Sequence, residues 1–287
     1  MWLFILYKIG EALSCYLPFS LSRWLAERIA DFFFFFSFGK YRVYREAVLH
    51  NLSLILQDNT RTGCAREVFR NFANYLREFL LLKKLDKSEF FKRVILLGCE
   101  NLDAALKKDK GVLLLSAHFG NWEWGGMALA WYGYRMYFLV RPHANPYTYR
   151  LFCNLREKAR VRVISVNYLK RALMALRDNS VIATLIDESD KGIEVNMFGK
   201  KLTLASGPFE IAYKSGALIC PAFMIRDKET GKQKGIVETP IELNSQDKGS
   251  MEKAAQKFAE IMEDYLRFYP DHWFLFKKKI FSCGNGE

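Results

Sequence analysis

Read from the N-terminus, the alternation of apolar and polar positions changes character twice. Residues 1–39 carry three apolar runs, at 1–7, 12–21 and 29–38, interrupted by Lys8, Glu11, Pro18, Arg23, Glu27, Arg28 and Asp31. None reaches the roughly 18 uninterrupted apolar residues of a spanning helix. The basic start and small-residue cleavage site of a signal peptide are also lacking. The pattern predicts an N-terminal helical, membrane-associating segment, an amphipathic hairpin that dips into one leaflet. A single tilted span and a hairpin buried in the core are the alternatives. Lys40, Tyr41, Arg42, Tyr44 and Arg45 follow as a basic, tyrosine-bearing collar suited to headgroup level.

Residues 40–93 read as a helical lead-in. Apolar residues recur at helical spacing over 45–56 and more strongly over 66–85, with a polar connection at 58–63. From Val94 the texture changes again. Short apolar runs at 94–97, 111–117, 136–140, 163–166, 181–186, 218–225 and 235–241 predict strands. Helical patterns at 98–106, 121–132, 147–159, 169–177, 209–214 and 251–268 alternate with them. Such alternation predicts an α/β fold with a largely parallel central sheet flanked by helices on both faces. The expected organisation is therefore a segment 1–39 and an α/β domain 40–287, whose first part, 40–93, is helical.

This layout gathers the chemistry. His118, Arg141 and Asp187 each follow the C-terminal end of a predicted central strand, the edge at which open parallel sheets bind ligands. Glu123 stands five residues beyond His118, across a strand-to-helix turn. A carboxylate so placed can fix the imidazole tautomer and stabilise the imidazolium, which makes His118 a general base for a hydroxyl attacking an acyl carbon. The spacing alone is common, and a satisfied core histidine with an ordinary first-turn glutamate is the bland alternative. The backbone N–H groups of Gly120 and Asn121 lie where an oxyanion or phosphate is bound at a helix start. Gly125 and Gly126, inside the predicted helix, each cost about 1 kcal/mol relative to Ala, which implies close approach of that helix to the sheet or to an acyl chain. Arg141 offers a guanidinium for a phosphate or a thioester oxygen. His143 is a rival base without the carboxylate spacing.

Composition narrows the partners. Hydrophobic residues make up 51% and aromatics 15%, rich for a soluble enzyme and fitting for one that works against lipid. Lys+Arg 43 against Asp+Glu 31 leaves +12, which implies an anionic partner. Nucleic acid is disfavoured, since no recognition signature accompanies the charge. The six cysteines are scattered, with no Cys-x-x-Cys pair, and predict neither a zinc site nor a disulfide framework. Glu188 and Asp190 near Asp187 lack the surroundings of a metal cage, so no metal is expected.

The stretch from Gly111 to Trp124, with His118, Gly120, Asn121, Trp122 and Glu123 at its heart, resembles the signature of the bacterial lipid A biosynthesis acyltransferases. These are late acyltransferases within the lysophospholipid and glycerophosphate acyltransferase superfamily. Weaker blocks follow in the same order over residues 40–280. They are Arg45, Val48, Asn51 and Leu52; Arg141, Pro142 and Asn145; Asp187, Phe198, Gly199, Gly207 and Pro208; and the closing Tyr269 to Lys279. Residues 187–190 read Asp-Glu-Ser-Asp where relatives often carry Asp-Gln or Asp-Tyr-Gly. The resemblance implies His118 and Glu123 as catalytic residues, with Arg141, Asn145, Asp187, Gly120 and Asn121 around the substrate. It implies transfer of a fatty acyl chain from a thioester, acyl-carrier protein or acyl-CoA, to a hydroxyl of a lipid A precursor, a phosphorylated glycolipid. The implied setting is the bacterial inner membrane, with the catalytic domain facing the cytoplasm and no cofactor. Ser206 lacks a Gly-x-Ser-x-Gly context and no cysteine adjoins His118, so direct attack is expected rather than an acyl-enzyme. The rival readings are another acceptor (a lysophospholipid, phosphatidylinositol mannoside or amino-acid lipid) and a non-catalytic lipid-binding protein.

Overall fold

The computed structural model describes residues 2–244, 247 and 249–283; the expected domain limits at residues 1 and 287 lie outside the described residues. Pro18, inside the second apolar run, separates α1 (Trp2–Tyr16) from α2 (Phe19–Phe35). They are followed by α3 (Lys40–Leu52), the long α4 (Asp58–Leu81) and a short α5 (Lys87–Phe91). The α/β alternation then runs β1 (Val94–Leu97), α6 (Cys99–Leu106), β2 (Val112–Ser116), α7 (Trp122–Tyr132), β3 (Met136–Val140) and α8 (Pro146–Lys158). It continues with β4 (Arg162–Ser165), α9 (Leu169–Arg177), β5 (Val181–Leu185), β6 (Ile193–Met197) and β7 (Lys200–Leu204). The chain closes with α10 (Gly207–Ser215), β8 (Leu218–Arg226), β9 (Gln233–Val237), α11 (Ser250–Phe268) and β10 (Ser282–Cys283).

Among the described residues the main sheet has seven strands in the order β1-β9-β8-β2-β5-β3-β4. Strands β8, β2, β5, β3 and β4 run parallel; β9 is antiparallel to β8, and β1 follows β9. The expected α/β class with a largely parallel sheet and helices on both faces is the observed one. Strand β2 explains its central place by composition: Val112, Leu113 and Leu115 are fully buried, with side chains alternating between two cores. Leu113 and Leu115 face α9, α10 and α11, whereas Val112 and Leu114 face α6 and α7. The register pairs Ser116 with Leu185, so β2 and β5 end level. Residues two positions past each end are thereby neighbours, a detail that decides the site.

Residues 193–204, to which the apolar pattern assigns no element, form the hairpin of β6 and β7, with β10 on the outer edge of β7. Burial alternates strictly along β6. Phe198 and Gly199, with φ of 52° and 69°, form its two-residue turn, where both centres need the left-handed region.

The N-terminal helices are buried on one side and bare on the other. Phe34 and Ala30 of α2 pack towards α4, and Asp31 accepts hydrogen bonds from Arg66 and Arg70 at 2.8–2.9 Å. Glu11 of α1 pairs with Lys83 at 2.5 Å. Leu6, Ile9, Leu21, Trp24, Phe32, Phe35 and Phe36 remain exposed. No helix among the described residues is long and apolar enough to cross a membrane.

Candidate active site

The turn that follows β2 is held by backbone geometry before any side chain acts. Gly120 has φ +59°, and a Cβ there would lie 1.9 Å from the Met224 carbonyl oxygen, so only glycine fits. Its N–H donates to the His272 carbonyl at 2.8 Å, and the His118 carbonyl accepts from Phe274 N–H at 2.6 Å. Asn121 caps α7: its Oδ1 accepts from Trp124 N–H at 3.0 Å, while its Nδ2 donates to Glu78 at 2.7 Å. Gly120 and Asn121 were expected to face substrate. The Gly120 N–H and the Asn121 side chain are committed within the protein, where both residues shape the turn.

The level ends of β2 and β5 bring His118 against Asp187. The imidazole Nδ1 lies 2.8 Å from Asp187 Oδ1, and the His118 backbone N–H reaches both carboxylate oxygens at 3.1 Å. Trp273 Nε1–H donates to Oδ2 at 2.9 Å. Asp187 is buried and takes three kinds of donor. Burial alone would raise its pKa, but the His118 charge and these hydrogen bonds prevail and hold it below the ordinary carboxylate value. Burial would lower the His118 pKa; the charge and hydrogen bond of Asp187, with Glu188 behind, outweigh it and raise it. With Nδ1 bound to a carboxylate, the neutral ring carries its proton there and presents Nε2 as the acceptor. The side chain is 26% exposed, and the ring lines a cavity.

Glu123 does not serve His118. It is buried, and its two oxygens receive Arg156 Nε and Nη2 of α8 at 3.0 and 2.5 Å, a bidentate pair. The Arg156 guanidinium also lies 5.6–6.0 Å from the ring centres of Phe79, Phe138 and Phe152. Its pKa is raised: burial opposes, and the Glu123 charge and hydrogen bonds prevail. The expected partner of His118 at position 123 is thus replaced by Asp187. A strand end from the adjacent strand is closer to the imidazole than the first turn of its own helix. Arg156 escaped the sequence reading; its one signal is an arginine beside Leu155 on the inward face of an amphipathic helix.

The remaining expectations divide. Arg141 is exposed at the end of β3 and lines the cavity. Asn145 caps α8, accepting from the N–H groups of Tyr147 and Thr148 at 3.0 and 3.1 Å, and does not line the cavity. His143 accepts from the Asn145 N–H and has no carboxylate partner among the described residues. Asp190 is engaged by Lys277. No group of three or more potential metal ligands is found among the described residues.

The cavity has a volume of about 700 Å³, within the usual range for small-molecule sites. From His118 and Arg141 it passes between α7 and the sheet, against Leu96, Leu114, Leu129, Phe138 and Met224. The two helix glycines have the expected reason. A Cβ on Gly126 would stand 2.1 Å from the Phe138 ring, and one on Gly125 would stand 2.9 Å from the Met224 side chain. Cys15, Cys64, Cys99, Cys153 and Cys220 carry raised thiol pKa values, chiefly through burial, and those of Cys64 and Cys220 are pushed up to about 12. None is an activated thiolate.

A His–Asp pair thus stands at the C-terminal edge of a mostly parallel sheet, beside a cavity whose walls are largely apolar. The model of the family described as bacterial lipid A biosynthesis acyltransferase matches residues 1–281, and the chain belongs to that family. It is similar to a phosphatidylinositol mannoside acyltransferase of Mycolicibacterium smegmatis, 27% identical over 164 residues, 54% of each chain. A protein of the same name from Mycobacterium tuberculosis H37Rv is 27% identical over 161 residues, covering 53% of this chain and 51% of the relative. A lipid A biosynthesis acyltransferase of Haemophilus influenzae is 23% identical over 205 residues, 70% of this chain and 63% of the relative. The chain spans about half the length of the mycobacterial relatives it matches.

Proposed function

We propose that this protein is an O-acyltransferase that moves a fatty acyl chain from an acyl thioester to a hydroxyl of a lipid A precursor. The observation that carries the reading is the His118–Asp187 pair, whose imidazole lines a cavity with largely apolar walls. The acceptor hydroxyl gives its proton to Nε2 as its oxygen attacks the thioester carbon. The tetrahedral intermediate then expels the thiolate, which takes the proton from the imidazolium, so His118 ends neutral. Positioned proton transfer of this kind contributes about 10²–10⁴-fold. Asp187 stabilises the transient imidazolium, while the cavity wall of Leu114, Leu129 and Phe138 accommodates the alkyl chain. Arg141, exposed at the mouth, suits a phosphate of donor or acceptor. The net charge of +12 favours an acidic acyl-carrier protein or the phosphates of CoA, and a phosphorylated acceptor.

The bare apolar face of α1 and α2 is the membrane-associating surface in this reading. Trp24, Phe32, Phe35 and Phe36 enter the headgroup boundary of one leaflet while Asp31 and Phe34 hold the hairpin to α4. By resemblance, that leaflet belongs to the bacterial inner membrane on its cytoplasmic side. A second reading, acylation of a phosphatidylinositol mannoside, is favoured by the 27% identity to the mycobacterial proteins of that name. Lipid analysis by mass spectrometry of a strain lacking the gene, complemented with wild type or His118→Ala, separates the two. Loss of one acyl chain from lipid A, restored only by wild type, supports the first. An unchanged lipid A beside an altered phospholipid or glycolipid moves the acceptor. Restoration by His118→Ala would remove the proposed base.

A further inference from the structure

One feature common to the site and the far end of the chain is a strap, residues 273–279, that crosses the active-site edge of the sheet. It holds Asp187 from two directions. Trp273 Nε1–H donates to the carboxylate oxygen that His118 Nδ1 does not use, at 2.9 Å. Lys279 is 3% exposed, and its ammonium donates to the carbonyls of Asp187 and Ser189 at 2.7 Å and to that of Thr203. The strap also holds His118, through Phe274 N–H to the His118 carbonyl. Its own anchor is Asn51 on α3, whose Nδ2 donates to the Leu275 and Lys277 carbonyls at 2.9 Å and whose Oδ1 accepts from Lys279 N–H at 2.8 Å.

A buried lysine bound to three carbonyls, and a buried asparagine spending three hydrogen bonds on one loop, are costly ways to fix a surface turn. These contacts converge on the pair: the indole on the Asp187 carboxylate, Lys279 on the Asp187 carbonyl and Phe274 on the His118 carbonyl. The His118 backbone N–H reaches both carboxylate oxygens at 3.1 Å, and the indole adds a directed side-chain donor to Oδ2 at 2.9 Å. The indole donor also draws charge away from the oxygen facing the imidazole, which limits how far the His118 pKa is raised.

We propose that the C-terminal strap belongs to the acid–base machinery, with Trp273 as the positioning residue for Asp187 and with Asn51 and Lys279 holding the strap in register. This rests on the reading of His118 and Asp187 as the catalytic pair. Hydrogen bonds to charged groups are strong enough that Trp273→Phe, which keeps an aromatic ring and deletes the donor, lowers kcat about 10–100-fold. KM for both substrates stays near wild type. The His118 titration moves to higher pH, because the carboxylate then directs more of its charge at the imidazolium.

The test uses full-length protein in detergent. It combines histidine-selective NMR titration, practical with 4 His in the chain, with turnover of lauroyl-acyl-carrier protein and a lipid A precursor. Wild type is compared with Trp273→Phe, Asp187→Asn and the double variant. Non-additivity is the expected signature: the double variant turns over no slower than Asp187→Asn alone. An unshifted His118 titration in Trp273→Phe, or a loss that adds in full to that of Asp187→Asn, overturns the role of Trp273 while leaving the pair intact. If Asp187→Asn itself leaves turnover and the His118 titration unchanged, the pair fails and this inference falls with it. Asn51→Ala, distant from the reacting atoms, provides the check should Trp273→Phe lose its fold. It shifts the His118 titration in the same direction, and no shift in that variant refutes the strap.

Discussion

Replacing Glu123 with glutamine separates the two roles that a carboxylate at this position can have. In the structure Glu123 neutralises Arg156, and both are nearly excluded from water, with side chains 3% and 9% exposed. Removing one partner of such a pair leaves an uncompensated buried charge, at a cost of about 3–5 kcal/mol. With an unfolding entropy of roughly 2.1 cal/mol/K per residue, 287 residues give about 0.6 kcal/mol/K, so the cost becomes a drop in Tm of roughly 5–8 °C. Glutamine keeps the shape and one acceptor, so the fall comes from lost charge rather than lost packing. Differential scanning calorimetry on Glu123→Gln, Arg156→Met and the pair of substitutions together checks the magnitude. Each single variant shows the drop. The double variant recovers most of it, because no charge is left unpaired. The pH at which His118 titrates stays where it was, since Glu123 does not touch the imidazole. A Glu123→Gln protein with an unchanged Tm and a displaced His118 titration would refute this assignment and return Glu123 to the role of the histidine's carboxylate.

Three further outcomes follow from the same geometry. The base must be neutral to accept a proton, and its pKa is raised by Asp187. The acid limb of kcat/KM therefore lies above the ordinary histidine value of about 6.5, and in Asp187→Asn it falls, because burial is then opposed only by the Glu188 charge; a pH–rate series reads both. Asp31 is held below the usual carboxylate range chiefly by its hydrogen bonds from Arg70, against burial, with Arg66 adding to them. A depressed folded pKa gives stability that is present above the unfolded value of about 3.9 and is lost as the pH falls below it. Limited proteolysis of the α1–α2 hairpin should increase below about pH 4 in wild type and lose that dependence in Asp31→Asn. Gly126→Ala places a methyl 2.1 Å from the Phe138 ring, which costs about 1–3 kcal/mol in overpacking. It also pushes that ring into the cavity, so thermal melts drop and shorter donor chains are preferred in competition assays.

Much of the arrangement is present in local sequence. The short apolar runs from Val94 onward, each followed by an amphipathic stretch, are sufficient for a mostly parallel sheet with helices on both faces, and they place His118 at the end of β2. Gly125 and Gly126 announce close approach within α7 by their cost in a helix. What local pattern does not contain is which strand lies beside which. The pairing of β2 with β5, and the register that ends both strands level, put Asp187 rather than Glu123 on His118 across 69 positions of sequence. The same holds for Arg156 on Glu123 and for the strap of Trp273 and Lys279, each supplied by an element remote in the chain. The β6–β7 hairpin was local and still overlooked: its alternation and the Phe198–Gly199 turn lay within twelve residues, masked by polar neighbours. Periodicity and glycine cost are set by a residue's own neighbours, so the sequence by itself determined the strands of the main sheet, the helices beside them and the edge that carries the chemistry. Partners of buried charges are set by three-dimensional packing, in which a carboxylate settles beside whichever cation or imidazole the fold brings within about 3 Å, and only the tertiary structure decided those.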